Sequence, residues 1–178
     1  MERFERLISP IAVLPRVNVD TDQILPARFL QKPRKDGFGQ YLFRDLNLDL
    51  DPRARILVAG ANFGCGSSRE NAVWALYDFG FRAVIAPSFG DIFFNNSLKN
   101  GLLPVVLPEE DVAALLKDAG QSVEVDLEEQ FVVFPDGSRH GFEVDPFARH
   151  CLLNGVDELE YTLSLLDKVQ AFEREYSM

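Results

Sequence analysis

Between Arg55 and Leu107 the chain contains three short stretches with almost no polar residue: Ile56-Leu57-Val58-Ala59, Ala83-Val84-Ile85-Ala86 and Leu102 to Leu107. A strand with one wet face alternates apolar and polar residues, whereas a strand apolar throughout is buried on both faces. Strands of that kind pair in parallel, and parallel neighbours need helical crossovers between them. The intervening segments have helical character. Arg69 to Phe79 is stopped by Gly80. Asp91 to Asn100 starts on an acid and is followed by Gly101. Glu109 to Ala119 leads with acids, carries Val112, Leu115 and Leu116 as a stripe, and ends at Gly120. The order β-α-β-α-β-α predicts an α/β fold with a partly parallel central sheet. Pro104 marks the third run as an edge strand or as one starting near the proline.

The flanks read differently. Ile8 to Val13 is a short apolar run suited to a strand, and Asn18 to Pro26 is rich in turn formers. Gln31 to Gly39 holds a proline, two glycines and mixed charges, and reads as an exposed, mobile loop. After Gly120, Val123 to Leu127 and Gln130 to Phe134 predict a hairpin, with a turn at Pro135-Asp136-Gly137-Ser138. Phe147 to Leu153 reads as a short helix ending at Asn154-Gly155. Leu159 to Glu175 reads as one terminal helix, within a helical extension over 156–178. Its Leu163, Leu166, Val169 and Phe172 recur at spacing three, and this stripe is expected to pack on its own domain. At 178 residues, 47% of them apolar, the chain 1–178 is expected to form a single domain with a sizeable core.

Charge and metal-ligand counts remove whole classes of function. The net charge of −10 disfavours a nucleic-acid binder, which needs a basic footprint. It leaves room for an anionic substrate, since one arginine and a helix N-terminus suffice locally. The two cysteines, Cys65 and Cys151, and the two histidines, His140 and His150, show no CxxC or HxxxH spacing. A self-contained zinc site or a four-thiolate iron–sulfur cluster is therefore not expected in this chain. No disulfide framework is expected either, and Met1 to Arg6 carries charges where a secretory signal has an apolar run. A cytoplasmic location is the expectation.

The chemistry is expected in Gly60-Ala61-Asn62-Phe63-Gly64-Cys65-Gly66-Ser67-Ser68-Arg69-Glu70, which joins a buried strand to a helix. Its glycines allow unusual backbone angles and close approach by a ligand. Ser67 or Ser68 can cap the helix, with Glu70 completing the first turn. Free N–H groups and the helix dipole make an anion site there, and Arg69 adds a fork for carboxylate or phosphate. A phosphate-binding Walker loop is excluded by the missing lysine, and the dinucleotide fingerprint by Arg69 in its last position. Neither histidine stands in a context that suggests a serine-hydrolase triad.

Three blocks of the chain resemble the aconitase superfamily. Gly64 to Glu70 looks like its GxGSSRE segment. Ser88 to Pro104, reading SFGDIFFNNSLKNGLLP, resembles a second block, and Asn18 to Pro26 a first. All three occur in order. The short length and the Phe29 to Phe43 texture resemble the separate small subunits of isopropylmalate-type hydro-lyases.

The resemblance implies a swivelling β/β/α domain that closes over a [4Fe-4S] cluster held by an iron–sulfur large subunit, as a heterodimer or heterotetramer. It implies isomerisation of 2-isopropylmalate to 3-isopropylmalate, in leucine biosynthesis, through loss and return of water. It further implies that Ser67 is the base, that Arg69 clamps a substrate carboxylate, and that Asp22 orients the site. Ser68 and Gly66 are implied to touch substrate. The loop 28–39 is implied to discriminate substrates, with Leu30 and Phe38 forming an apolar wall and Arg34 able to meet a carboxylate. One residue departs from the family pattern: Asn71 stands where the family has histidine after Arg-Glu. That leaves a sister substrate open, such as citramalate (with citraconate) or 2,3-dimethylmalate. Two alternatives of other classes are a binding protein that kept only the fold, with the acidic charge counting against an RNA-binding one, and a free-standing anion- or phosphate-binding domain built on the glycine-rich turn.

Overall fold

The structure is a computed structural model and describes residues 1–4, 6–33, 37–67, 69–166, 170, 172 and 174. Seven strands form one mixed sheet in the order β4-β3-β2-β1-β5-β6-β7. The strands are β1 (Leu7–Leu14), β2 (Ile56–Ala59), β3 (Ala83–Ala86), β4 (Leu103–Val106), β5 (Ser122–Asp126), β6 (Phe131–Val133) and β7 (Arg139–Gly141). The first four are parallel, and the three apolar runs become β2, β3 and β4. β4 is an edge strand with Pro104 as its second residue, where a missing N–H is tolerated.

β1 is the pivot of the sheet. Its second half, Ile11 to Leu14, pairs in parallel with β2, and its first half, Leu7 to Pro10, pairs antiparallel with β5. The expected hairpin is present as β5 and β6. The Pro135–Ser138 turn leads onward into β7, a third strand too short and polar to announce itself in sequence.

Both faces of the parallel half are buried, as all-apolar strands require. Ala12, Leu14, Leu57, Ala59, Val84 and Ala86 pack on one side with α2 (Glu70–Phe79). Ile11, Ile56, Val58, Ala83 and Ile85 pack on the other with α4 (Glu109–Leu115) and with Leu152 of α5 (Pro146–Asn154). α3 (Asp91–Lys99) lies against α2, and a side-chain relay joins them. Trp74 Nε1 donates to Asn100 Oδ1 at 2.8 Å, and Asn100 Nδ2 donates to Glu70 Oε1 at 2.7 Å.

Two expectations change. α6 spans Glu158–Ser164, capped by Asp157, and beyond the turn at Leu165 the described residues 166, 170, 172 and 174 are helical too. Its stripe is not buried as expected: Leu163, Leu166 and Phe172 are exposed, while Val169 lies outside the described residues. The helix is seated instead through Tyr161, whose ring meets Phe147 and His150 edge-on. The second change concerns the segment expected to be an exposed loop. Its shoulders are built into the core: Phe38 is 2% exposed and stacks on Trp74, its N–H donates to the Asp78 carboxylate, and Phe29 stacks on Tyr41 at 4.3 Å.

Candidate active site

Three loops leave the C-terminal ends of β1, β2 and β3 and are stitched together there. In an open parallel sheet this edge is where ligands bind, because the strand-to-helix turns converge on it. Gly64 N–H donates to the Val19 carbonyl at 2.7 Å, and Thr21 N–H donates to the Cys65 carbonyl at 3.0 Å. On the other side Phe63 N–H donates to Ser88 O and Gly90 N–H to Phe63 O. The glycines make the crossing possible. A Cβ on Gly64 would lie 2.1 Å from the Phe93 ring, and one on Gly60 would lie 2.4 Å from the Arg16 carbonyl oxygen. Gly64 and Gly66 also have φ of 72° and 93°, which side-chain-bearing residues rarely adopt.

The first loop is held rigid by α1 (Thr21–Ile24), a single turn with a capping box. Asp20 Oδ1 accepts from Gln23 N–H at 2.7 Å, and the Gln23 side chain accepts from Asp20 N–H. The turn presents Thr21 and Asp22 to the glycine-rich loop. Thr21 is 2% exposed, and its hydroxyl donates to the Ser67 carbonyl at 3.0 Å. The same oxygen is 3.3 Å from Ser67 Oγ. A hydroxyl has one proton, so with Thr21 donating to the carbonyl the Ser67 hydroxyl donates to Thr21. Ser67 itself is exposed at the open edge, as is Gly66.

Arg69 reaches back to the first loop. Its guanidinium donates to Asp22 Oδ1 at 2.7 Å, and that oxygen also accepts from Ala27 N–H at 2.8 Å. The arginine beside it, and then the Ala27 amide, hold the Asp22 carboxyl below its ordinary range. Arg69 is therefore a cation fixed in direction on the same turn as an exposed serine. Such a pair suits the binding of a carboxylate next to a proton acceptor.

Of the two serines expected to cap α2, Ser67 does not do so, and Ser68 lies outside the described residues. The helix begins one residue later than the reading assumed, with Arg69 at the cap position and no side-chain capping bond. Ser67 is tied to Thr21 instead, and Glu70 is tied to Asn100. Leu30 is half-buried beside the first core, following the 3-10 turn Ala27–Phe29. Phe38 is not brought to the site: it is a core residue under α2. Ser68 and Arg34 lie outside the described residues. Asn71 is half-buried in the first turn of α2. Thr21 was missed in the sequence, although the Asp20-to-Gln23 capping spacing carried a signal for the turn that places it.

No group of three His, Cys, Asp or Glu side chains able to hold a metal occurs among the described residues. Cys65 stands alone beside the site and Cys151 is buried in α5, so this chain does not offer the thiolate set a [4Fe-4S] cluster needs. His140 is fully engaged elsewhere, between Asp111, Ser138 and the Phe134 ring.

Comparison with known proteins gives the family. Residues 46–110 match the family profile described as aconitase C-terminal domain, and residues 113–146 match that described as LeuD_N. The chain is 51% identical to a 3-isopropylmalate dehydratase small subunit of Paramagnetospirillum magneticum, across 97% of this chain and 95% of that protein. It is 48% identical to the protein of the same name from Rhodospirillum rubrum, across 100% and 95%. Among solved structures it resembles 3-isopropylmalate dehydratase (leuD) of Methanocaldococcus jannaschii, with a TM-score of 0.74 and 28% identity over 94% of this chain and 99% of that one.

Proposed function

This chain belongs to the 3-isopropylmalate dehydratase small-subunit family, and from that premise we propose that it works with a large subunit as a hydro-lyase, isomerising 2-isopropylmalate to 3-isopropylmalate. Identity near one half over almost the whole chain favours this substrate over citramalate or 2,3-dimethylmalate, despite Asn71. The observation that carries the mechanism is the Ser67–Thr21 and Arg69–Asp22 arrangement at the open sheet edge.

The proton removed lies α to a carboxylate, so charge develops on that carboxylate as the proton leaves. Arg69 binds the carboxylate, and Asp22 keeps the guanidinium aimed at it. Ser67 takes the proton. Thr21 fixes its peptide carbonyl and hydroxyl in place, and the Arg69 cation favours the serine anion. Gly66 lets substrate approach the backbone closely, and Ser68 adds a donor. Leu30 supplies apolar surface for the isopropyl group. The segment 28–39 discriminates among substrates from its Phe29 and Phe38 anchors, with Arg34 able to meet a carboxylate. The cluster is assigned to the large subunit, where it supplies a Lewis acid for the departing hydroxyl. Closure of this domain over that subunit would complete a site that is exposed here. A cytoplasmic heterodimer or heterotetramer in leucine biosynthesis is the corresponding setting; among the described residues no helix is long and apolar enough to cross a membrane.

The test is co-expression with an iron–sulfur large subunit, following formation of the unsaturated dicarboxylate from 3-isopropylmalate, with citramalate and 2,3-dimethylmalate in parallel. Activity on isopropylmalate is expected only with both chains present. Ser67→Ala should lower kcat by about 10²–10⁴-fold with the thermal transition unchanged, as loss of a general base in an exposed position requires. Full activity of that variant would overturn the assignment of the base, and turnover of citramalate alone would overturn the substrate.

A further inference from the structure

At the opposite edge of the sheet from Ser67, a cleft of about 380 Å³ is lined by Glu2, Arg3, Phe4, Arg6, Arg55 and Arg82, with Leu7 and Gly101 completing it. Four arginines in one cleft is an unusual concentration for a chain of net charge −10. Two of them are placed by the sheet itself. Arg55 and Arg82 immediately precede β2 and β3, whose register pairs Ile56 with Ala83, and Arg82 N–H donates to the Arg55 carbonyl at 2.8 Å. The backbone therefore sets two guanidinium-bearing residues side by side on adjacent strands, about 4.8 Å apart. Like charges so placed repel, and an anion between them relieves the repulsion.

The chain already puts one there. Glu2 accepts from Arg82 Nε at 3.0 Å and from the Tyr77 hydroxyl at 3.2 Å, and its carboxyl is held below the ordinary range by Arg82 first, with Arg55 adding to the effect. Arg82 is further fixed by donating to the Tyr77 and Phe81 carbonyls and by lying over the Tyr77 ring, 3.8 Å from its centroid. Arg6 is paired with Glu124. Arg3 and Arg55 have no hydrogen-bonded or ion-paired side-chain partner among the described residues. Among the described residues one carboxylate thus serves a cleft with two guanidinium groups left over, and it is carried by the exposed Glu2.

We propose that this cleft is a binding site for a small multivalent anion, a polyphosphate or polycarboxylate, which displaces the Glu2 carboxylate and spans Arg55, Arg82 and Arg3. The site is separate from the proposed active site: β2 alone, four residues long, sets roughly 13 Å between the two edges. Two or more anionic groups are required because the guanidinium groups lie on different segments, and a monovalent ion meets only one of them better than Glu2 does.

The test uses the full chain at constant ionic strength, titrated calorimetrically with pyrophosphate and, separately, with tricarballylate; chloride is the monovalent control. One saturable site per chain is expected for at least one of the two probes and none for chloride. Arg55→Gln, which removes an exposed side chain, should weaken binding about tenfold, a loss of one charge-assisted contact. Glu2→Gln should strengthen it severalfold by removing the internal competitor, an effect that general surface charge does not produce. Arg69→Gln should leave it unchanged, whereas Arg55→Gln should leave turnover of the two-chain enzyme unchanged. Absence of saturable binding by both probes, weaker binding in Glu2→Gln, or loss of binding in Arg69→Gln rather than Arg55→Gln would each overturn the proposal.

Discussion

The residues that define the candidate site are few, and each is held by a contact that can be removed singly. Asp22 is the clearest case. Its carboxyl is depressed in the folded chain by Arg69 and the Ala27 amide, so the pair contributes above the ordinary carboxylate range and is lost as pH falls through the lower folded value. An NMR titration should therefore find the Asp22 midpoint below that of a model peptide, and Arg69→Gln should raise it; an unmoved midpoint would sink the pairing. Asp22 is largely exposed, so Asp22→Asn should cost at most about 1 kcal/mol of stability. It should raise KM far more than that figure suggests, because an unaimed Arg69 binds the carboxylate less well. Thr21→Val keeps the shape of a buried side chain while deleting its hydroxyl. Loss of the donor to the Ser67 carbonyl should lower kcat, and Thr21→Ser should restore it. The glycine at position 64 answers to sterics alone. Gly64→Ala drives a methyl group into Phe93 at a positive φ and should destabilise the chain by about 2–3 kcal/mol in denaturant unfolding.

At the scale of elements, the candidate-site edge depends on three crossing loops rather than on any one motif. The capping-box turn α1, the glycine-rich loop and the Ser88–Gly90 turn share backbone hydrogen bonds, so each fixes the others. The long connection from α1 to β2 is anchored by its aromatics. Phe38→Ala should cost about 3–5 kcal/mol, the usual price of emptying a buried phenylalanine site, and should alter substrate discrimination by loosening the segment it anchors. Leu30→Ala, at a half-buried position, should instead change KM for isopropylmalate with a smaller loss of stability. Equal effects of both variants on stability, read from urea midpoints, would contradict the distinction between anchor and wall.

For the whole molecule, the two cores on either side of the sheet lead us to expect that the chain folds without a partner, and the exposed Ser67 edge that it is inactive in isolation, which thermal unfolding and an assay of the chain alone would check. α6 belongs to neither core. Removing residues from Asp157 onward should lower the melting temperature by only a few degrees, since Leu159, Leu163 and Leu166 are exposed and the seat is largely Tyr161. A large drop would show that the helix carries more of the fold than its exposure indicates.

The apolar runs at 56–59, 83–86 and 103–106 were legible because burial on both faces leaves no choice of residue type, and periodicity then determined the helices between them. The glycine-rich turn and its Ser67-to-Arg69 segment were legible for the same kind of reason: positive φ and close crossings tolerate little else. Nothing local marked β7, whose pairing is set by the hairpin beside it, or the exposure of the Leu163–Leu166 stripe, since spacing describes a helix face without saying what it meets. Phe38 reads as a loop residue until α2 is seen above it. The partnerships of Thr21 with Ser67 and of Asp22 with Arg69 span 46 and 47 residues. Contacts between loops at such separation come from the parallel register of β1, β2 and β3, which brings their C-terminal ends together. Sequence by itself determined which residues had to be apolar, turning or charged; the tertiary structure decided which of them would touch.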